Sequence, residues 1–222
     1  MTASTRRPIR VLRGVVCLAL LTGACHSARA AEERQALARV LELKPGTVVA
    51  DVGAGDGTWA IGFAETVGPG GRVYATEVDE EALEEIRERV ADSGLANVTV
   101  VAGSQSSTGL PDRCCDAILL RMVYHHFTDP VAMRRDLLRA LRPGALLAVV
   151  DIVPQRHWSE LDGVADRGGH GIGRPTLVAE MTADGFEVVG THASWNDDPD
   201  RYCVVFRRSG PARSRADEDG GQ

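Results

Sequence analysis

Between residues 31 and 206, short apolar runs alternate with longer stretches whose apolar positions recur every three or four residues. The helical spacing predicts helices over Ala31–Leu43, Gly57–Val67, the segment opened by Asp79, the segment opened by Asp129-Pro130, and Thr176–Ala183. The apolar runs predict strands over Thr47–Val52, Arg72–Glu77, Asn97–Ala102, Cys115–Leu120 and Ala145–Asp151, with two more over Phe186–Thr191 and Tyr202–Phe206. Local signals mark the ends. Asp79 caps a helix whose Leu83, Ile86 and Val90 share one face and which Gly94 closes, while Asp129-Pro130 supplies an N-cap and first-turn pair. That second helix stops before Arg142-Pro143-Gly144.

Several strands are nearly continuous apolar runs, Ala145–Val150 among them. Such a strand suits a parallel sheet covered on both faces by helices. The predicted fold is therefore α/β: a Rossmann-like, doubly wound, mostly parallel seven-stranded sheet. A loop, not a helix, joins the last two strands, which predicts a C-terminal antiparallel hairpin.

The first thirty residues have a different character. Arg6, Arg7, Arg10 and Arg13 precede the apolar run Val15–Leu21, and Ala28-Arg29-Ala30 forms a small-x-small site before Ala31. This is the plan of a secretory signal peptide, and the run falls short of the roughly 20 residues that cross a bilayer. The expected organisation is a signal peptide over 1–30, a domain over 31–208 and a disordered tail over 209–222, with export to the periplasm or medium. Two other readings stay open: a lipid anchor at Cys25, and an unused signal that leaves the chain in the cytoplasm. The pair Arg6-Arg7 also hints at a twin-arginine signal.

Charge narrows the partners. The full chain carries a net charge of -6. Residues 1–30 contain five Arg and no acid, so the remainder carries 20 basic and 31 acidic side chains. With no Lys/Arg-rich run there, a nucleic-acid partner is disfavoured. Cys114, Cys115 and Cys203 form no disulfide framework and no CxxC pair, so no metal is expected; they read as small apolar residues of buried strands.

The strongest local signal is Val48-Val49-Ala50-Asp51-Val52-Gly53-Ala54-Gly55-Asp56-Gly57, a strand that ends near an acid and passes through glycines into a helix. Glycine allows positive φ and close approach of a ligand, and the helix start offers free N–H groups. A dinucleotide fingerprint would need glycine where Thr58 stands, which weighs against an NAD-dependent oxidoreductase. Glu77 closes the next strand, where a carboxylate can accept the hydroxyls of a ribose.

Together these residues resemble the class I S-adenosylmethionine-dependent methyltransferase family over roughly Leu37 to Arg207. Asp51-x-Gly53-x-Gly55-x-Gly57 is similar to the family's first motif and Val73–Glu77 to its second. Leu110-Pro111-Asp112 through Cys115-Asp116-Ala117 and Leu141-Arg142-Pro143-Gly144 resemble the approaches to the fourth and fifth strands, and the small-molecule, quinone-methyltransferase-like group is the nearest in kind. The resemblance implies S-adenosylmethionine as cofactor and a small-molecule methyl acceptor. It implies a cofactor-binding set of Asp51, Gly53, Gly55, Gly57, Glu77, Ser104 and Arg121. Ser104 stands where the family often carries an acid. Methyl transfer from a sulfonium is an in-line displacement that asks mainly for alignment and desolvation. His125 or His126, just after the fourth strand, is the candidate base for an oxygen or nitrogen nucleophile. His170 faces either substrate or solvent, and Trp158 and Trp195 read as core or edge packing. An exported, non-catalytic S-adenosylmethionine-binding module is the alternative reading.

Overall fold

The computed structural model describes residues 28–209, apart from 160 and 165. The arginines and apolar run of the expected signal, Cys17, Cys25 and nearly all of the expected tail lie outside the described residues.

Helix α1 covers residues 28–40. The chain then runs through β1 (Val48–Val52), α2 (Thr58–Val67), β2 (Arg72–Glu77), α3 (Glu80–Ser93), β3 (Val98–Ala102) and β4 (Cys115–Arg121). A single 3-10 turn at Tyr124–His126 leads to α4 (Pro130–Ala140), β5 (Leu141–Ile152), α5 (Arg174–Ala183), β6 (Phe186–His192) and β7 (Arg201–Arg208). The seven strands form one sheet in the order β3-β2-β1-β4-β5-β7-β6. The strands from β3 to β5 pair in parallel, and β7 runs antiparallel to both β5 and β6. The expected fold and its terminal hairpin are both present.

The apolar runs are continuous because both faces are covered. Ala50, Ile118, Leu120, Leu147 and Val149 pack with Met133 and Leu137 of α4 and Leu177 and Met181 of α5. Their neighbours in sequence, Val49, Leu119, Ala148 and Val150, pack with Leu37 of α1, Phe63 of α2 and Ile86 of α3. The helix starts follow the sequence signals. Asp79 accepts the Ala82 N–H at 2.9 Å, Asp129 accepts the Ala132 N–H at 3.0 Å, and Gly94 closes α3 at φ 68°.

Boundaries shift by a few residues, as in α1, expected over Ala31–Leu43 and observed over residues 28–40, and the shift at β5 has a clear cause. β5 starts at Leu141, inside the segment expected to be a turn. Leu141 pairs with Cys115, the register then shifts, and regular pairing resumes at Ala117 with Leu146. Pro143 has no N–H to give to a ladder and Gly144 sits at φ 78°, so the turn survives as an irregularity within the strand.

α1 is held by one buried acid. Glu33 is 3% exposed and takes Arg121 Nε and Nη2 at 3.2 and 3.3 Å. It also accepts the Trp195 indole N–H at 3.1 Å and the Asn196 amide at 3.4 Å. Trp195 is thus a core residue, whereas Trp158 is 46% exposed. Glu33→Ala should destabilise the fold by about 3 kcal/mol, because it strands the Arg121 guanidinium and the Trp195 N–H. Urea unfolding of both proteins measures this, and a loss below about 1 kcal/mol would show that Glu33 does not secure α1.

Candidate active site

Strand order reverses between β1 and β4, so the loops leaving the carboxyl ends of these strands diverge and open a crevice. A cavity of about 290 Å³ lies there, lined among others by Gly53, Glu77, Ser104, Val123 and His126. This is close to the lower end of the size range of small-molecule sites.

The β1 loop forms the cavity's near wall. Gly53, Gly55 and Gly57 have φ of 72°, 54° and 77°, a left-handed conformation that side chains resist. Gly53 is also tight, since a Cβ there would come within 2.5 Å of Val123. A Cβ at Gly55 would meet nothing within 4 Å, so a side chain there would obstruct a ligand and not the protein. The Gly55 N–H donates to Glu77 Oε2 at 3.1 Å, and the Val78 N–H donates to Oε1 at 2.7 Å. The Glu77 carboxylate is therefore held at the cavity wall by two backbone N–H groups.

The remaining sequence candidates lie beside or beneath the cavity. Ser104 is on its wall, while Gly55 and Gly57 belong to the loop but are not among the lining residues. Asp51 is 2% exposed beneath the loop, and its Oδ2 has no hydrogen-bond partner. Burial pushes its carboxyl up to about 7, against the opposing charge of Arg121. Arg121 closes β4 away from the cavity lining, paired with Glu33 and stacked 4.3 Å from the centre of the Trp59 ring.

The two histidine candidates have ring centres 4.2 Å apart but differ in exposure. His126 is exposed and lines the cavity. Partial burial and two neighbouring imidazoles push its pKa down to about 4. His125 is 2% exposed and sits behind it. Its Nδ1 lies 2.6 Å from Asp151 Oδ1, and its Nε2 lies 3.1 Å from His170 Nε2. Asp151, fully buried near the end of β5, also accepts the Ile152 N–H at 2.8 Å. His125 and His170 share a second, smaller cavity, and Leu161 and Val164 line both cavities.

Asp151 is the group that sequence reading missed. The signal was available, because an acid ending an apolar strand had already singled out Asp51 and Glu77. Cys115 and Cys203 are buried in strands as expected, whereas Cys114 lies just before β4 and is only half-buried. All three described ones are unbridged, and burial pushes the Cys203 thiol up to about 12.

Residues 49–144 match the methyltransferase domain family. Demethylmenaquinone methyltransferase of Listeria monocytogenes serotype 4a is 30% identical over 118 residues, covering 53% of this chain and 50% of that protein. The chain thus spans half the length of the curated relatives it matches. A SAM-dependent methyltransferase from Aquifex aeolicus superposes with a TM-score of 0.67 at 25% identity, covering 79% of this chain and 89% of that one. A [4+2]-cyclase shares the fold at a TM-score of 0.66 and 19% identity, with 82% of each chain covered.

Asp51 gives the site a pH signature. Its folded-state pKa of about 7 exceeds the unfolded value of 3.8, so the native state binds the extra proton and the group's stabilising contribution is lost between about pH 4 and pH 7. Asp51→Asn should remove that slope and make the ligand-free protein more stable at pH 8, by a few kcal/mol at most. Chemical unfolding of both proteins from pH 4 to 8 checks this; parallel stability curves would mean that Asp51 is ionised throughout.

Proposed function

We propose that this chain, which belongs to the class I S-adenosylmethionine-dependent methyltransferase family, binds S-adenosylmethionine in the β1–β4 crevice and transfers its methyl group to a small molecule. One observation carries the reading. The crevice combines a left-handed glycine loop, a carboxylate held by backbone N–H groups and a buried acid oxygen without a partner. S-adenosylmethionine presents matching groups: a ribose diol for Glu77, a chain that needs close backbone approach at Gly53 and Gly55, and an ammonium group that can restore charge to Asp51. Gly57 starts α2 and Ser104 offers a hydroxyl to the far end of the cavity. Arg121 acts from behind, as the cation that opposes the burial cost of Asp51.

When bound, the cofactor supplies an electrophilic methyl group already activated by its sulfonium. The protein's share is alignment and exclusion of water. His126 borders the acceptor's place in the cavity and assists loss of the acceptor's proton, with His125 fixed behind it by Asp151. The Listeria relatives are demethylmenaquinone methyltransferases, which supports a small-molecule acceptor here.

We further propose that residues 1–30 are a cleaved export signal, with 31–208 as the mature domain and 209–222 as its tail. Cleavage after Ala30 keeps Glu33 and Leu37, so the contacts that anchor α1 survive processing. Mass spectrometry of the protein from its native host should find a chain that begins at Ala31. A diacylated Cys25 or an intact N-terminus would refute cleavage at that site.

Calorimetry with S-adenosylhomocysteine tests the cofactor reading. The parent chain should bind it one to one, and Glu77→Ala should lose about 1.5–3 kcal/mol, or roughly 10- to 150-fold in affinity. His126→Ala should bind as the parent does, yet lose about 10²–10⁴-fold in turnover once an acceptor has been found by screening. No binding by the parent would overturn the function. Normal binding by Glu77→Ala would overturn only the ribose assignment.

A further inference from the structure

Three imidazoles converge beside the cavity. His125, His126 and His170 each offer a ring nitrogen, and these atoms lie within 4.8 Å of one another. Their hydrogen bonds determine what those nitrogens can do. His125 Nδ1 faces the Asp151 carboxylate at 2.6 Å, and His170 Nδ1 faces the Ser159 carbonyl oxygen at 2.9 Å. A carbonyl only accepts, and so does an ionised carboxylate. Both Nδ1 atoms must therefore carry hydrogen, which leaves each neutral ring with a bare lone pair on Nε2. Those two Nε2 atoms point at each other across 3.1 Å. Two lone pairs at that distance repel unless a positive charge lies between or beside them. The candidates are a shared proton and a metal ion.

We infer that His125, His126 and His170 bind a divalent transition-metal ion of the zinc class, through Nε2 of His125 and of His170. Several observations favour the ion over the proton. Two nitrogens at about 2.0–2.1 Å from one tetrahedral ion stand roughly 3.3 Å apart, close to the spacing present. The third imidazole is already in reach, whereas a shared proton needs only two. Asp151 stands behind His125 as the carboxylate that commonly fixes the tautomer and orientation of a metal-binding histidine.

The third ring is held by a built loop. Gln155 and His170 exchange backbone hydrogen bonds at 2.8 and 3.2 Å. Gly169 and Gly171 sit at φ 133° and 123°, and a Cβ on either would come within 2.9 Å of backbone oxygen. The glycines let the loop approach the end of β5 closely enough to deliver His170.

Neutral imidazole ligands suit zinc, copper, iron and nickel, and three of them leave a coordination position open. The site is at the wall that the two cavities share, beside the place proposed for the acceptor. The site shares His126 with the cavity proposed for the cofactor, and a metal bound there would replace the role of His126 as a base.

The test uses untagged protein covering residues 31–222, stripped with a chelator, and Zn²⁺ or Co²⁺ alone as the probe. Calorimetry should show one Zn²⁺ per chain, and Co²⁺ should give the intense visible absorption of a tetrahedral site. His170→Ala and His126→Ala should each weaken binding at least 100-fold, and Asp151→Asn by about 10- to 100-fold. His192→Ala, on β6, should leave it unchanged. Thermal melts and S-adenosylhomocysteine binding of each variant separate loss of the site from loss of the fold. His170 is on a surface loop, so that variant should keep the parent's melting profile. Absence of stoichiometric Zn²⁺ binding by the parent, or parent-like binding by both His126→Ala and His170→Ala, would overturn the site. So would a proton held between His125 and His170 that saturating Zn²⁺ fails to displace, read by imidazole NMR. If S-adenosylhomocysteine binds and Zn²⁺ does not, only the metal site fails; the reverse result would remove the cofactor reading and leave the metal site standing.

Discussion

Charges buried at the ends of central strands set the terms for the rest of this molecule. Asp51, Arg121 and Asp151 lie at or near the carboxyl ends of β1, β4 and β5, three neighbours in the sheet. Burying a charge is expensive unless a partner compensates it. Each is compensated differently. Arg121 is answered by Glu33, reaching across from α1. Asp151 is answered by His125 and by backbone N–H groups. Asp51 has one oxygen that nothing in the protein answers.

This division explains how structure and chemistry share one sheet edge. The Glu33–Arg121 pair is structural: it ties the first helix to the middle of the sheet and places a cation near Asp51. The Asp151–His125 pair orients an imidazole whose other nitrogen is directed at His170. Asp51 is the unfinished site, and its raised pKa records what the fold gives up by leaving it so. A cationic group of a ligand would lower that cost, which links cofactor binding to stability.

The fold alone would not have led to this reading. The same architecture is present in a [4+2]-cyclase, so shared topology is compatible with different chemistry. The reading rests instead on local features: the glycine conformations after β1, the carboxylate of Glu77 held by backbone N–H groups, and the histidines beyond β4.

Most of the architecture was legible in the sequence, because it depends on short-range rules. Asp79, Gly94 and Asp129-Pro130 mark helix ends through bonds spanning three or four residues. The nearly continuous apolar runs Ala117–Leu120 of β4 and Ala145–Val150 of β5 are dictated by burial on two faces. The Asp51–Gly57 loop and Glu77 were visible for the same reason, since each is an element end with unusual residues. The partners of the buried groups were not legible. Glu33 meets Arg121 across 88 residues, and His125 meets His170 across 45. Pairing at that range is decided by how helices and loops pack on the finished sheet, and no local pattern encodes it. The sequence by itself therefore determined the order of elements and which residues crowd the ligand edge. Only the tertiary structure decided which charge each buried group would face, that His126 would line the cavity while His125 lay behind it, and that a third histidine would join them.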